Sequence, residues 1–293
     1  MKRFYNKKNL LFVLIFILIV FIFSLTLNSV VDNHRLQWWL DAIEWNNSYR
    51  KYSGKSIKIA VLDTGIDIEH LDFPKEIKQI NIGEKSNSLS HGTGIAGIIC
   101  AYPSDDNGVI GIAPDAEVIS FSITNAKNDI DIENLIAAIR RSIDENVDII
   151  NISCGLSNYS SELENVIIEA YEKGIIIVAS AGNFMKGEIL YPAAFEKVLA
   201  VGSIDKNGNV ISPTGILNKH VIFLPGENIV TTGPNDSYNS MFGSSPATAI
   251  LSGIIAIILE AKPDLTNEEI YDYFNCETNN SISIRKILKE IGV

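Results

Sequence analysis

Apolar residues in this chain fall into runs of three kinds. The first is one long stretch, unbroken over residues 10–23, inside a segment 9–31 that contains no charge. The second kind is short and rich in Ile and Val, at 57–62, 117–123, 147–153, 174–181, 198–204 and 220–224. Runs of that length and composition read as strands. The third kind has helical spacing. Leu135, Ile136, Ile139 and Ile143 mark one face of a helix over 132–146, and 162–173 follows the same rhythm. The stretch 94–101 is small and apolar, as a buried helix would be, and further helices are expected over 246–261 and 267–274. Strands alternating with helices, several apolar on both faces, predict an α/β fold: a doubly wound, mainly parallel β-sheet with helices on both faces.

The leading run has a different meaning. As a helix, 9–31 would reach about 34 Å, enough to cross a bilayer core of roughly 30 Å. Lys2, Arg3, Lys7 and Lys8 all precede it, so the positive-inside rule leaves Met1 in the cytoplasm and the body outside. A cleaved signal peptide shares the basic start but has a shorter apolar core and a small-residue cleavage site, for which Ser24-Leu25-Thr26 is a poor match. The expectation is therefore an N-terminal transmembrane or signal helix over 1–31, a short link over 32–37 and one domain over 38–293. This places the chain at the cell membrane as a single-pass protein with an extracytoplasmic body, or, if the helix is cut, as a secreted one.

Composition removes some functions. The chain is 46% hydrophobic and 20% charged, which suits a packed core, and its net charge of -11 includes that basic start, so the body is strongly acidic. No nucleic-acid partner is expected, because that needs a basic footprint. Three cysteines, Cys100, Cys154 and Cys276, are too few and too scattered for a disulfide framework or a zinc site.

Four polar residues stand where a doubly wound sheet gathers chemistry, beyond strand ends and at helix starts. Asp63 ends the 57–62 run in Asp63-Thr64-Gly65, where an acid can orient a histidine. Alone it reads equally as a turn residue. His91, one of four histidines, lies between Ser90 and Gly92-Thr93-Gly94 ahead of the small apolar helix, and an imidazole can accept and donate a proton near pH 7. Ser245 opens the long apolar helix just before Pro246, where the helix N-terminus favours developing negative charge. As an isolated serine it would be read as an N-cap. Asn183 closes Ala179-Ser180-Ala181-Gly182-Asn183, and its amide can donate to an oxyanion, a role worth about 3–4 kcal/mol. Each signal is weak by itself; the order acid, base, amide, nucleophile is what joins them.

With those residues in place, the chain resembles the subtilisin-like serine proteases, the subtilases. Three blocks carry the resemblance: Val61-Leu62-Asp63-Thr64-Gly65-Ile66-Asp67, His91-Gly92-Thr93-Gly94-Ile95-Ala96-Gly97 and Gly243-Ser244-Ser245-Pro246-Ala247-Thr248-Ala249. Ala181-Gly182-Asn183 matches a fourth, and Gly111-Ile112-Ala113-Pro114 and Tyr191-Pro192-Ala193 fit the connecting segments, so the match runs from 38 to about 258. The resemblance implies peptide-bond hydrolysis through an acyl-enzyme, with Ser245 as nucleophile, His91 as general base, Asp63 orienting the imidazole and Asn183 in the oxyanion hole. It implies an extended peptide or protein substrate lying along Asn128 and Ile130 on one side and Ser153, Cys154 and Gly155 on the other, with Ala181 and Gly182 walling the primary pocket. Phe184 and Leu190 are expected to flank that pocket and favour compact or apolar residues. The resemblance also suggests a structural calcium ion held by Gln37, Asp72 and Asn107, all oxygen donors. Catalysis itself needs no cofactor.

Three departures accompany it. Ser244 stands where the family usually has Thr, Gly94 where many members have a second His, and no inhibitory pro-segment is recognised between the apolar run and residue 38. The last suggests a dedicated processing protease, by analogy with family members that trim peptide leaders. The alternative is a non-catalytic, membrane-tethered relative that binds peptides. An α/β-hydrolase esterase is excluded, since that fold expects G-x-S-x-G and the order Ser, acid, His.

Overall fold

The computed structural model describes residues 37–45, 51–73, 77–83, 88–103, 108–125, 127, 129–183, 189–212, 220–276 and 282–293. The segment expected to cross or leave the membrane, 1–31, and most of the link after it lie outside the described residues. Seven strands form one sheet: β1 (Lys58–Asp63), β2 (Lys78–Asn81), β3 (Glu117–Ser122), β4 (Ile149–Ile152), β5 (Ile176–Ser180), β6 (Leu199–Ile204) and β7 (Val221–Pro225). Their order is β2-β3-β1-β4-β5-β6-β7, and every neighbouring pair is parallel. The doubly wound parallel sheet expected from the sequence is what the chain forms.

Strand periodicity distributes the core between two faces. In β1, Ile59 and Val61 pack into one cluster with α2 (Ser90–Cys100) and α5 (Ser244–Ala261), while Ala60 and Leu62 pack into the other with α3 (Ile132–Asp144) and α4 (Ser161–Glu172). Side chains two apart share a face and neighbours oppose. A strand buried on both sides therefore reads as a continuous apolar run. The first cluster also takes up α1 (Trp38–Ala42), α6 (Asn267–Cys276) and α7 (Ile284–Glu290). Helix starts are capped as sequence rules require: Asp131 accepts from Glu133 and Asn134 N–H at α3, and Ser160 from Leu163 N–H at α4. Each such cap stabilises its helix by about 1 kcal/mol.

Several elements differ from the sequence expectation. The helix carrying His91 starts at Ser90 rather than at 94, so His91 lies in its first turn. An antiparallel hairpin, β8 (Ile229–Gly233) and β9 (Ser237–Met241), was not expected, nor were β2, α1 and α7. β2 and β9 are polar and half-exposed edge strands, with no apolar run to announce them. The hairpin is fastened onto α2 by Thr231 Oγ1, which donates to Gly94 O at 2.8 Å, and Thr232 Oγ1, which donates to Thr93 O at 2.7 Å. Among the described residues, α5 alone is long and apolar enough to cross a membrane, and it is 83% buried in the protein core.

The chain runs β1, then β2 and β3 on one side, then β4 on the other. This makes the carboxyl ends of β1 and β4 a topological switch point, where open α/β sheets bind ligands.

Candidate active site

Asp63 is the last residue of β1 and is buried. Its Oδ1 accepts from Thr64 N–H at 2.7 Å, which steers the carboxylate toward the helix opposite. His91 Nδ1 meets that carboxylate at 2.8 Å from Oδ1 and 2.9 Å from Oδ2. A carboxylate only accepts, so Nδ1 carries the proton and Nε2 of the neutral ring is left with a lone pair. A second tie holds the pair in register: Gly92 N–H donates to Thr64 Oγ1 at 3.1 Å. Gly92 has to be glycine, because a Cβ there would strike the Gly65 carbonyl. The His91 pKa is raised, first by the Asp63 charge and also by its hydrogen bond, against an opposing effect of burial.

Ser245 lies in the first turn of α5 and is nearly buried, at 8% exposed. Its Oγ donates to Ser153 O at 2.9 Å, and Ser153 Oγ donates to Ser245 O at 3.3 Å. The structure thus brings Asp63 to His91 and Ser245 to Ser153. No hydrogen bond joins Ser245 to His91 among the described residues. Ser153 follows β4 and is itself anchored, because Asn151 Nδ2 donates to its Oγ at 3.0 Å and Ser252 Oγ holds Asn151 Oδ1 at 3.0 Å.

Asn183 lies beyond β5 with its side chain exposed. Ser244 N–H donates to Asn183 Oδ1 at 2.8 Å. A backbone N–H can only donate, so Oδ1 must face the helix and Nδ2 is turned away from it. The Ser244 hydroxyl lies 2.9 Å from both Gly182 O and Asn183 Oδ1, and 2.6 Å from Ser180 Oγ. Its single proton goes to one of the two carbonyl oxygens, so Ser180 donates to it. Gly243, at φ 103°, leaves room for this amide: a Cβ there would stand 2.5 Å from Asn183 Oδ1. Ser245 N–H belongs to the first helical turn, whose amides have no partner within the helix. The site therefore holds an oriented imidazole, a hydroxyl at a helix start and two N–H donors beside it.

The other expected residues take these places. Ser153, Cys154 and Gly155 leave the carboxyl end of β4, and Leu156 then pairs with Tyr191 in an antiparallel bridge. Gly155 lies against Leu190, whose Cβ would be 2.6 Å from a Cβ on residue 155. The Cys154 thiol is pushed far above the ordinary range by burial and then by the Asp63 charge, so it stays protonated. Ala181 and Gly182 are buried between β5 and Asn183. Ile130 bridges to Thr124 beyond the end of β3 and packs in the same cluster as Cys154. Asn128 and Phe184 lie outside the described residues.

The calcium expectation meets a short donor set. Gln37 Nε2 donates to Ile110 O at 2.8 Å and its Oε1 accepts from Ile110 N–H at 3.0 Å. Asp72 Oδ2 accepts from Val109 N–H at 2.9 Å and from Tyr238 Oη–H at 3.0 Å. Asn107 lies outside the described residues. Among the described residues no group of three His, Cys, Asp or Glu could hold a metal. Among the described residues, the expected donors are the Asp72 carboxylate and the Gln37 amide, each also accepting from a backbone N–H, whereas calcium takes six to eight oxygens. No step below passes through a cation.

Sequence reasoning missed the supporting residues Thr64, Asn151, Ser180 and Ser252. Nothing local distinguishes a buried serine that orients an amide from one that does not. Ser244 was visible only as a replacement for Thr, whereas the structure shows it gripping Asn183.

A parallel doubly wound sheet with these groups at its switch point defines a serine peptidase. Residues 54–289 match the Subtilase family (Peptidase_S8). The chain is 34% identical over 250 residues to the major intracellular serine protease of Bacillus subtilis (strain 168), covering 80% of this chain and 78% of that protein. It is 30% identical over 237 residues to subtilisin DY of Bacillus licheniformis, covering 78% and 86% respectively. The solved structure of sphericase superposes with a TM-score of 0.69 at 28% identity, over 81% of this chain and 88% of that one. The chain belongs to the subtilase family and is a subtilisin-like serine endopeptidase.

Proposed function

We propose that Ser245, His91, Asp63 and Asn183 carry the reaction of this endopeptidase, and that it works as a membrane-tethered processing enzyme outside the cytoplasm. The observation that supports the chemistry most directly is the Asp63–His91 pair, with Nδ1 held on the carboxylate and Nε2 left to accept a proton. The Ser245 hydroxyl turns from Ser153 O toward His91 Nε2, which takes its proton as Oγ attacks the scissile carbonyl carbon. Asn183 Nδ2 and Ser245 N–H receive the oxyanion. The carbonyl re-forms, the C–N bond breaks, and imidazolium His91 gives its proton to the leaving amine. Water, deprotonated by His91, then hydrolyses the acyl-enzyme and restores Ser245. Asp63 stabilises the imidazolium in both halves without taking the proton.

The tether rests on the uncharged 9–31 segment behind four basic residues, and the processing role on analogy with leader-trimming relatives. A protease held at one membrane face meets only the substrates brought to that face, which suits a narrow processing task.

The test is to treat the full-length chain, extracted in detergent, with a fluorophosphonate probe and locate the label by mass spectrometry. Labelling at Ser245, lost in Ser245→Ala, is expected. A folded chain that takes no label would instead favour a peptide-binding relative. Protease shaving of intact cells addresses the tether: digestion of the body from outside is expected, and its protection would overturn the orientation.

A further inference from the structure

Gln37, the first described residue, is a fixed point on the body. It is buried, and its amide closes in both directions on the backbone of Ile110. Trp38 Nε1 donates to Glu227 O at 2.9 Å and Trp39 is wholly buried, so α1 gives the chain before it no slack. Residues 32–36 are five, and fully extended they span at most about 18 Å. A domain of this size has a radius of gyration of about 18 Å and is roughly 45 Å across. If 9–31 crosses the bilayer, the link is less than half the width of the body it holds. The face around Gln37 then stays near the lipid, and the far face does not reach it.

The side chains near that fixed point are of the kind a lipid surface takes up. Ile110, the partner of Gln37, lines a cleft of about 390 Å³ with Trp45, Tyr52 and Tyr102, and Ser53 and Asp115 add polar groups to it. Val109 N–H, next along from Ile110, donates to Asp72 Oδ2 at 2.9 Å, and Tyr102 N–H donates to Asp72 O at 2.7 Å. Tyr102 is 50% exposed, and Leu71, beside Asp72, is 66% exposed, the highest of the large apolar side chains among the described residues. Its backbone is pinned, because Leu71 N–H donates to Asp236 Oδ1 at 2.9 Å. One exposed Leu means little. Here it stands with exposed Tyr102 and an aromatic cleft, all within a few hydrogen bonds of the tether's attachment.

Trp and Tyr are suited to the boundary of a bilayer, with the ring toward the acyl chains and the polar tip toward the headgroups. Charges of both signs accompany them. Lys51 Nζ lies 4.9 Å from the centre of the Tyr52 ring, Asp72, Asp115 and Asp236 stand among these residues, and Arg50, Asp105 and Asp106 are close in sequence. An acidic body is not drawn to lipid by charge. The tether supplies a high effective concentration instead, and exposed apolar area supplies the contact.

Resting on the tether reading above, we propose that the surface formed by Leu71, Tyr102 and the cleft between Trp45 and Tyr52 docks on the extracytoplasmic lipid surface. The body is thereby held on the bilayer in one orientation.

The test places p-benzoylphenylalanine at Leu71, Tyr102 or Tyr159 in turn, in the full-length chain reconstituted into phosphatidylcholine vesicles. Tyr159 is the control: it is exposed, and its ring meets Tyr191 and Phe195 in the cluster on the other side of the sheet from Ile110. Irradiation is expected to give lipid adducts at 71 and 102 and none at 159, read by mass spectrometry. With the probe at 102, Leu71→Asp is expected to lower the adduct yield. Flotation with the vesicles after an alkaline wash reports the tether separately. A chain that floats but gives no lipid adduct at 71 and 102, equal yields at all three positions, crosslinks there to a second copy instead of lipid, or a yield unmoved by Leu71→Asp overturns this proposal alone. A chain that the wash strips from the vesicles overturns the tether reading and this proposal with it.

Discussion

Ser153 and Ser245, 92 residues apart in sequence, exchange hydrogen bonds in both directions: each hydroxyl donates to the other's carbonyl oxygen. The proposed nucleophile is thus parked on the segment that follows β4, with its proton on a carbonyl that cannot take it. Free enzymes often hold their catalytic hydrogen bonds out of alignment until substrate arrives. What the resting state already sets is the Asp63–His91 pair.

That pair leads to a prediction about pH. The base form of His91 is neutral, and Asp63 raises its pKa, so the acid limb of kcat/KM should lie above the ordinary histidine value of about 6.5. Asp63→Asn removes the charge that does this. The limb should then move to lower pH and kcat should fall by about 10⁴. A pH–rate profile of the two proteins checks both. For stability the sign is opposite: a raised folded pKa favours the fold at low pH, and that contribution is lost as pH rises through it.

The proposed oxyanion donor gives a second prediction. Asn183 Nδ2 is aimed by Ser244, whose N–H fixes Oδ1 on the other side. Asn183→Leu should lower kcat by about 10²–10³ with little change in KM. Ser244→Ala keeps the N–H but loses the hydroxyl, so its kcat should fall less, and Ser244→Thr should restore it. Steady-state kinetics on one anilide separates the three.

Specificity on the acyl side supplies a third. Leu190 packs directly against Gly155, where a Cβ would stand 2.6 Å from the Leu190 Cβ, and both belong to the proposed walls of the primary pocket. The residue before the scissile bond should therefore be compact or apolar in a peptide-library profile, and Leu190→Gly should extend the preference to larger side chains. A profile dominated by Arg or Lys would contradict this.

A fourth concerns the fold. Glu260, near the end of α5, accepts three backbone N–H groups with one oxygen: Ser53 at 2.6 Å, Gly54 at 2.7 Å and Lys55 at 3.1 Å. Removing the carboxylate strips all three donors at once in a partly buried site. Glu260→Ala should cost about 1–3 kcal/mol, read as a shift in the denaturation midpoint. Activity of the remaining folded protein should be little changed.

Legibility in the sequence followed burial. β1, β3, β4, β5 and β6 lie in the sheet interior, so their apolar runs were plain. β2 and β9 are half-exposed edge strands without an apolar run, and β8, though buried, is short and ends in Thr231-Thr232-Gly233, so no periodicity marks them. The helix starts at Ser90 and Ser244 were misread by a few residues because small polar residues there look like loop. What makes them helical is contact: Thr93 Oγ1 accepts from Asp67 N–H, and Asn183 accepts from Ser244 N–H.

By itself the sequence determined the layered α/β architecture, the chemical kinds of the candidate active residues and their order along the chain. Those are local properties, written in side-chain type, periodicity and spacing. Tertiary structure alone decided that His91 meets both oxygens of Asp63, that Ser245 rests on Ser153, and that Asn183 accepts from Ser244 N–H. It also brought β9 beside His91 and left Phe242 in solvent there. Such contacts depend on how strands pair and on which staggered rotamer each side chain takes once its neighbours are in place. Both are settled by packing between segments far apart in the chain, and no local pattern encodes them.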